Sequence, residues 1–164
     1  MRHIAITILV ILAGCSDSNP LYPAGGDTPY QIRGEVAADE LRVAIAAQIP
    51  GRLWNVHTGD PEYRKYGIDE VMEFIVADDT DEIEYRVNDF DCEDHALVLA
   101  GRMKEAMPGI PVGFMWCVYY DAFGVYPHAF NVFYDGYTGK LYIFDAASDR
   151  FVTPRIIVVF LIVM

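Results

Sequence analysis

The feature that most constrains the fold of this 164-residue chain is a helix pattern followed at once by several strand patterns. A helix is predicted over residues 91–107, because Asp91 is an acceptable N-cap, acidic residues fill the first turn and Pro108-Gly109 ends the run. Apolar residues recur along one stripe of it: Cys92, Ala96, Leu99, Ala100, Met103 and Met107. This stripe is expected to pack against the strands that follow.

Strand patterns cover Val112–Tyr120, His128–Tyr134 and Leu141–Asp145, and residues 136–139 are suited to a hairpin turn between the last two. Residues 156–164 are nine apolar residues, less than half of the roughly 20 that a membrane-spanning helix needs. Their β-branched content predicts a final strand buried on both faces. One helix followed by antiparallel strands is an α+β arrangement, with a sheet of about four or more strands.

Composition excludes some classes of function. Hydrophobic residues make up 53% of the chain, and 11 Tyr and 9 Phe can fill a core. The net charge of −12 repels phosphate backbones, so no nucleic-acid partner is expected, whereas a basic protein partner would suit the surface.

The first residues predict export. A short basic start and the apolar residues 4–12 precede Leu12-Ala13-Gly14-Cys15, which resembles the lipobox of bacterial lipoproteins. Residues 1–14 are therefore predicted to be a signal peptide, and Cys15 the lipidated first residue of the mature chain. Ser16 favours the outer membrane, with the protein facing the periplasm. The alternative is an ordinary signal peptide with a chance cysteine.

The rest of the first half is less informative. Residues 15–30 comprise Cys15 and a polar, Pro/Gly-rich tether, and residues 31–164 are expected to form one domain. A helix is predicted over residues 36–49. The acidic residues 78–82 favour a solvated loop, with a cation site as the alternative.

Three residues of the second half carry candidate chemistry. Cys92 begins a helix, where the dipole and free N–H groups favour thiolate. His128 begins a strand and is a candidate base, and Asp145 ends the next strand and is a candidate group to orient the imidazole. A four-residue turn at 136–139 would place Phe130 opposite Asp145 and bring His128 and Asp145 to the same face, whereas a five-residue turn would separate them.

These motifs resemble a known superfamily. Residues 90–96 (Phe-Asp-Cys-Glu-Asp-His-Ala), 128–131 (His-Ala-Phe-Asn) and 142–145 (Tyr-Ile-Phe-Asp) resemble the transglutaminase-like and papain-like cysteine peptidases. The nearest branches are bacterial transglutaminase-like cysteine proteinases and the C-terminal domain of mushroom agglutinins, which has phage-encoded relatives. The match covers roughly residues 87–153.

The resemblance implies a papain/transglutaminase-like core, with N-terminal helices and the cysteine at a helix start packed on an antiparallel sheet. It implies Cys92 as nucleophile, His128 as base and Asp145 as third member, although agglutinin-type sequences place Glu-Pro-Gln at 145–147. An oxyanion donor is expected upstream of the cysteine, where the candidates are Trp54, Asn55 and His57, and the backbone N–H of Cys92 is another contributor.

Acidic neighbours complicate this site, because negative charge disfavours a thiolate. Asp89, Asp91 and Asp94 are candidate metal ligands that a divalent cation would neutralise. Metal activation is implied by the agglutinin resemblance, and Ca²⁺ is the ion that carboxylate oxygens suit. No cofactor is otherwise required.

Two functions follow as hypotheses, besides a metal-binding lipoprotein that would use the carboxylates of residues 78–82 or 89–94. The first is a hydrolase or acyltransferase, such as a thiol protease or amidase, acting on peptide or amide bonds of a peptide or protein substrate. The alternative is a non-catalytic binding or scaffold lipoprotein of the same fold, which a disulfide between Cys92 and Cys117 would favour. His95 is expected to be structural, and Cys117 to lie in the core.

Overall fold

The structure is a computed structural model that describes residues 34–49, 52–53 and 55–164, without the side chains of Arg52 and Leu53. The predicted signal peptide, Cys15, the tether and Trp54 lie outside the described residues. No helix in the described part of the chain is both long and apolar enough to cross a bilayer.

The described residues contain nine strands and three α-helices. The helices are α1 (Ala38–Gln48), α2 (Ile68–Ala77) and α3 (Cys92–Ala106), and a short 3-10 helix spans Thr80–Glu82. The strands are β1 (Glu35–Ala37), β2 (Arg52–Leu53), β3 (Val56–His57), β4 (Glu62–Arg64), β5 (Val112–Tyr120), β6 (Val125–Tyr134), β7 (Leu141–Asp145), β8 (Arg150–Val152) and β9 (Arg155–Val163). The predicted solvated loop at 78–82 is therefore partly helical, and the predicted first helix begins later than expected because Val36 belongs to β1.

Seven strands form one sheet in the order β2-β9-β5-β6-β7-β8, with β3 also paired to β9. The pairs from β9 through β8 are antiparallel, but β2 and β3 join β9 in parallel. β1 and β4 form a separate antiparallel pair. The predicted α+β fold with a purely antiparallel sheet is therefore wrong: the sheet is mixed, and it dominates the described residues.

The two faces of the sheet are covered by different helices. On one face, Met115 and Val132 share a buried cluster with Leu41 and Ile45 of α1. On the other face, Ala96 of α3 packs with Phe114 and Ala129, a smaller cluster that Cys92 joins from its edge. The stripe predicted for α3 thus contacts the strands, as expected, because burying apolar area is the main favourable term in folding.

β9 differs from its prediction as a strand buried on both faces. Its buried residues are three apart (Ile156, Val159, Ile162), whereas Ile157 and Phe160 are exposed. The pairing with β5 skips those two residues, which marks two β-bulges. A bulge inserts an extra residue in one strand and shifts which of the following side chains point to each face of the sheet. The apolar run of β9 therefore forms a bulged strand with one buried face.

The turn between β6 and β7 is built on the buried Asp135. Its Oδ1 accepts hydrogen bonds from the backbone N–H groups of Tyr137 (2.9 Å) and Thr138 (3.0 Å), and its Oδ2 accepts one from Ile68 of α2 (3.2 Å). Gly139 closes the turn with a left-handed φ of 71°. The predicted four-residue turn is confirmed, because β6 and β7 pair in the register that it requires.

Candidate functional site

The first turn of α3 presents Cys92. Asp91 is the N-cap residue, and its backbone N–H donates to the Asp94 carboxylate at 3.2 Å. The Asp91 carboxylate in turn accepts the backbone N–H of Asn88 at 3.0 Å. These local bonds satisfy donors that a helix start leaves unpaired, so the sequence itself fixes where the cysteine lies.

A buried asparagine on β6 ties α3 to the sheet. The Asn131 amide donates to the backbone carbonyl of Ala96 at 2.7 Å and to that of Gly113 at 3.3 Å. One side chain therefore joins the helix, β5 and β6 one turn after Cys92. This role of Asn131 was not predicted from its motif, although a lone polar residue inside an apolar strand could have indicated it.

His128 and Asp145 lie on the same face of the sheet, on adjacent strands. The His128 Nε2 lies 3.5 Å from the Asp145 carboxylate, and the two side chains are only 19% and 20% exposed. This is the diagonal arrangement that the confirmed register predicts. The structure therefore brings the predicted base and the predicted orienting group together.

The thiol of Cys92 completes the cluster. It interacts electrostatically with the His128 side chain, and it donates a hydrogen bond to the Glu93 carboxylate at 3.4 Å. All three residues predicted as a site meet in one place, and we call this set (Cys92, His128, Asp145) the thiol cluster.

Electrostatics favour a charged imidazole in the thiol cluster. Burial lowers the pKa of His128, but hydrogen bonds and charge interactions with Asp145 and Cys92 outweigh it and raise that pKa to about 9. For Asp145, burial raises the pKa, but its bonds to His128 and Ser148 leave it below its ordinary value. At neutral pH the pair is therefore imidazolium and carboxylate.

The second described cysteine is a core residue, as predicted. Cys117 pairs with His128 across β5 and β6 and is fully buried. Burial, with a smaller contribution from Cys92, raises its pKa to about 12. Both thiols are free, so the bridge between Cys92 and Cys117 considered from the sequence is not formed.

The residues that support the cluster were not predicted from the sequence. Aromatic rings hold the imidazole: those of Tyr119 and Phe130 lie with centroids 5.7 and 4.4 Å from the His128 ring. Asp145 accepts the Ser148 hydroxyl at 2.9 Å and the backbone N–H of Ala147 at 3.2 Å. The alternation of β5 and the turn pattern after Asp145 were the available signals for them.

His95, one turn after Cys92, has the structural role predicted for it. The ring is 1% exposed, and its nitrogens lie 2.8 Å from the Asp91 carbonyl and 3.0 Å from the Ile83 carbonyl. It ties the start of α3 to the segment that precedes it.

Among the proposed oxyanion donors, Asn55 makes no described hydrogen bond to the thiol cluster. Asn55 is exposed beside β9, where its backbone carbonyl accepts the N–H of Ile162 at 3.0 Å. His57 lies in β3, and Trp54 is outside the described residues. Their role in stabilising an oxyanion stays a prediction.

Two of the three predicted metal ligands are engaged elsewhere. Asp89 pairs with Arg86 at 2.8 Å, and Asp94 accepts the bond that closes the helix start. Among the described residues, the potential ligand atoms that lie together are those of Asp91, Cys92 and Glu93. Calcium binding here stays a prediction from the sequence.

An open cleft lies beside the thiol cluster, where the loop after β5 meets the start of β9. Its volume is about 380 Å³, and Tyr119, Tyr120, Asp121, Ala122, Thr153, Pro154 and Arg155 line it. The Tyr120 ring is 41% exposed, and the Arg155 guanidinium lies 5.6 Å from its centroid. We call this the tyrosine cleft; it pairs an aromatic surface with charged and hydroxyl groups.

Comparisons with known proteins gave matches among solved structures alone. No protein-family model and no curated protein matches the chain. Among solved structures, the PSL1a–E64 complex matches with a TM-score of 0.64 and 17% identity, covering 79% of this chain and 51% of that one. Polyporus squamosus lectin bound to the human-type influenza-binding epitope Neu5Acα2-6Galβ1-4GlcNAc matches with a TM-score of 0.59 and 15% identity, covering 79% and 49%.

These matches correct the sequence-based assignment. The predicted membership of the transglutaminase-like and papain-like peptidases is wrong, since the neighbours are structures of a lectin. The papain-like core and the hydrolase or thiol-protease function on peptide or amide bonds are overturned by the same finding. The chain spans about half the length of the lectin chains that it matches. At 15–17% identity, the comparison shows a shared fold.

Proposed function

We propose that the domain is a binding module and that its ligand is a carbohydrate. The fold is shared with chains of a lectin whose complex contains a sialylated trisaccharide. This agrees with the non-catalytic alternative reached from the sequence. The chain corresponds to only about half of the lectin. We therefore propose sugar binding for one surface of this domain.

The observation that carries this proposal is the tyrosine cleft. Sugars present a C–H face that packs on an aromatic ring and hydroxyls that bond to charged or polar side chains. Tyr120 offers an exposed ring, and Arg155 and Asp121 stand beside it. The Asp121 Oδ1 accepts the N–H groups of Phe123 (2.8 Å) and Gly124 (3.1 Å), which holds the loop in place without a ligand.

The test is titration of the folded domain with Neu5Acα2-6Galβ1-4GlcNAc and with Galβ1-4GlcNAc, followed by calorimetry and by amide NMR shifts. We expect saturable shifts at the tyrosine cleft, and for Tyr120→Ala an affinity about tenfold lower, because a buried aromatic contact contributes on the order of 1.4 kcal/mol. A glycan array extends the test to other sugars. No binding to any glycan would refute the proposal.

Tyr137→Ala is the matched control for this experiment. Tyr137 is 63% exposed and lies in the β6–β7 turn, outside the cleft. Removal of its ring should leave sugar affinity unchanged. An equal loss in both variants would show that the effect is not specific to the tyrosine cleft.

We also propose that Cys15 carries a lipid that holds the domain at the bacterial envelope, facing the periplasm. The support is the sequence of residues 1–15, with a basic start, a short apolar run and small residues before the cysteine. Metabolic labelling with a palmitate analogue, followed by membrane fractionation, should find the wild type labelled and in the outer membrane. Cys15→Ser should remove the label; retained label would refute the assignment.

A protein partner of basic character is a further proposal for the anchored domain. The net charge of −12 becomes one unit more negative when the predicted signal peptide and its Arg2 are removed. Attraction of this kind is screened by salt over about 8 Å at physiological ionic strength. Envelope proteins captured at 50 mM salt and released at 300 mM would support it, and capture that is insensitive to salt would contradict it.

A further inference from the structure

We propose that an apolar groove beside α3 docks the domain onto the surface of a lipid bilayer. The groove shares no residue with the thiol cluster or the tyrosine cleft. Its partner is the interfacial region of the bilayer, where the acyl chains meet the headgroups. This inference rests on the proposed lipid anchor at Cys15 and adds a second, non-covalent contact to it.

The groove lies where α3 passes the start of β5 and the end of β9. Its volume is about 370 Å³, and its lining includes Leu97, Gly101, Lys104, Phe114, Leu161 and Val163. Among the residues that line it, Lys104 alone is charged. We call this the apolar groove.

Large apolar side chains are exposed in and beside the apolar groove. Leu97 is 54% exposed and Val163 is 43% exposed. Next to them, Trp116 is 44% exposed, and its ring lies 6.5 Å from that of Phe114. Clustered apolar side chains at the surface are typical of a membrane or protein contact, and tryptophan is enriched where membranes meet water.

Two glycines keep the apolar groove open. A Cβ at Gly113 would overlap the backbone of Val163, so the strands require a glycine there. A Cβ at Gly101 would meet no atom within 4 Å, and glycine inside a helix is less favourable than alanine. Packing therefore does not require Gly101; its missing side chain leaves room above an apolar floor.

The chain that leads to Cys15 leaves the domain near the end of the sheet where β5 begins. The Gly34 carbonyl accepts the backbone N–H of Lys65 at 2.8 Å, and the last residue of β4 donates to the Gly109 carbonyl at 2.8 Å, just after α3 ends. The 18 residues from 16 to 33 span at most about 60 Å. A lipid at Cys15 thus leaves the apolar groove within reach of the bilayer.

The size and charge of the apolar groove favour a bilayer over a second copy of the chain. Half-exposed side chains of this size offer on the order of 100 Å² each. Three of them cover far less than the roughly 800 Å² per partner that a stable dimer buries. An anchored domain needs less area, since the lipid already holds it at the surface. Lys104 suits this partner, because a lysine lays its stem on apolar surface and places its ammonium among lipid phosphates.

Docking at the apolar groove would turn the tyrosine cleft away from the bilayer. Gly113 and Tyr120 lie seven residues apart along β5, which corresponds to about 23 Å of strand. The two surfaces therefore lie at opposite ends of β5, and a ligand would reach the cleft from the side that faces away from the membrane.

The test is quenching of Trp116 fluorescence by brominated lipid in phosphatidylcholine vesicles that carry the lipidated chain. Neutral headgroups are chosen because the net charge of −12 repels anionic ones. The chain has two Trp, so Trp54→Phe leaves Trp116 as its only indole. With bromine just below the headgroups, we expect Trp116 emission to fall to about half of that in unbrominated vesicles, since an indole at the interface lies beside the bromine.

Variants at one position separate docking from folding. Gly101→Glu places a carboxylate in the apolar groove without a steric conflict, and the quenching should fall about threefold because a charge is costly among acyl chains. Gly101→Ala is the matched control, since it adds the same Cβ without charge, and it should be quenched like the wild type. Val43→Asn should also leave quenching unchanged, because Val43 is 69% exposed on α1, which covers the other face of the sheet.

The outcomes distinguish docking from anchoring. A chain that floats with the vesicles while Trp116 stays unquenched overturns the docking and leaves the anchor intact; a mass that doubles with concentration would then assign the apolar groove to a second copy. Equal quenching in Gly101→Glu also overturns it. A chain that does not float contradicts the anchor, and the same quenching on a chain held to nickel-chelating lipid by an N-terminal hexahistidine tag then decides the docking.

Discussion

The thiol cluster and the tyrosine cleft lie side by side, since Tyr119 lines the cleft and its ring contacts that of His128, yet they are built in opposite ways. In the first, His128 and Asp145 are about one-fifth exposed, and each polar group has a named protein partner. In the second, Tyr120 is 41% exposed, and Asp121 and Arg155 beside it are exposed to solvent. The difference implies that substitutions in the thiol cluster should lower the free energy of unfolding, whereas substitutions in the tyrosine cleft should hardly affect it.

The largest effect is expected from His128→Leu. The change removes a cation and leaves Asp145 half-buried without it, so we expect the free energy of unfolding to fall by about 3 kcal/mol. Urea denaturation at pH 6 measures it. A fall below about 0.5 kcal/mol, the range of ordinary surface substitutions, would show that the cluster is not tied to stability.

A second change tests the support beneath the cluster. Asn131→Ala deprives the carbonyls of Ala96 and Gly113 of a buried donor, and we expect a loss of about 2 kcal/mol in the free energy of unfolding. Hydrogen exchange should speed up at the start of α3. An unchanged unfolding midpoint would contradict the role assigned to this amide.

The pH dependence of stability has a definite sign. The pKa of His128 rises from 6.5 to about 9 on folding, so its contribution is fully present below pH 6.5 and is lost as pH rises through 9. The free energy of unfolding should therefore decline between pH 6.5 and 9, as followed by urea titrations. In His128→Leu this decline should be much weaker; an equal slope in both proteins would refute the assignment.

The smallest effect on stability is expected in the cleft. Arg155→Gln removes a guanidinium that lies over an exposed ring, and exposed contacts of this kind contribute about 0.5–1 kcal/mol. We expect the free energy of unfolding to change by no more than about 1 kcal/mol while sugar affinity falls several-fold. A large loss of stability would contradict the prediction that the tyrosine cleft contributes less to stability than the thiol cluster.

The parts of the fold that the sequence predicted are those set by local residues. Asp91 and Pro108-Gly109 bound α3 as expected, and the turn at 136–139 set the register that brings His128 to Asp145. Each of these depends on residues within one element or one tight turn, where capping and turn preferences act directly.

The parts that failed depend on distant pairings. β2 and β3 are two residues each and join β9 in parallel across about a hundred residues of chain, which no short pattern encodes. The bulges of β9 appear only when its register against β5 is known. The family assignment failed for a related reason: the motifs around Cys92, His128 and Asp145 describe local chemistry, and chemistry of this kind recurs on unrelated folds.

The Asp135 turn links parts of the molecule that are far apart in sequence. Burial raises the pKa of this carboxyl, but backbone donors from Thr138, Tyr137 and Ile68 hold it below its ordinary value. One carboxylate thus fastens the first residue of α2 to the tip of the β6–β7 hairpin. Helix and hairpin should therefore behave as a single cooperative unit, so that a proton taken up by Asp135 in acid would loosen both in one event.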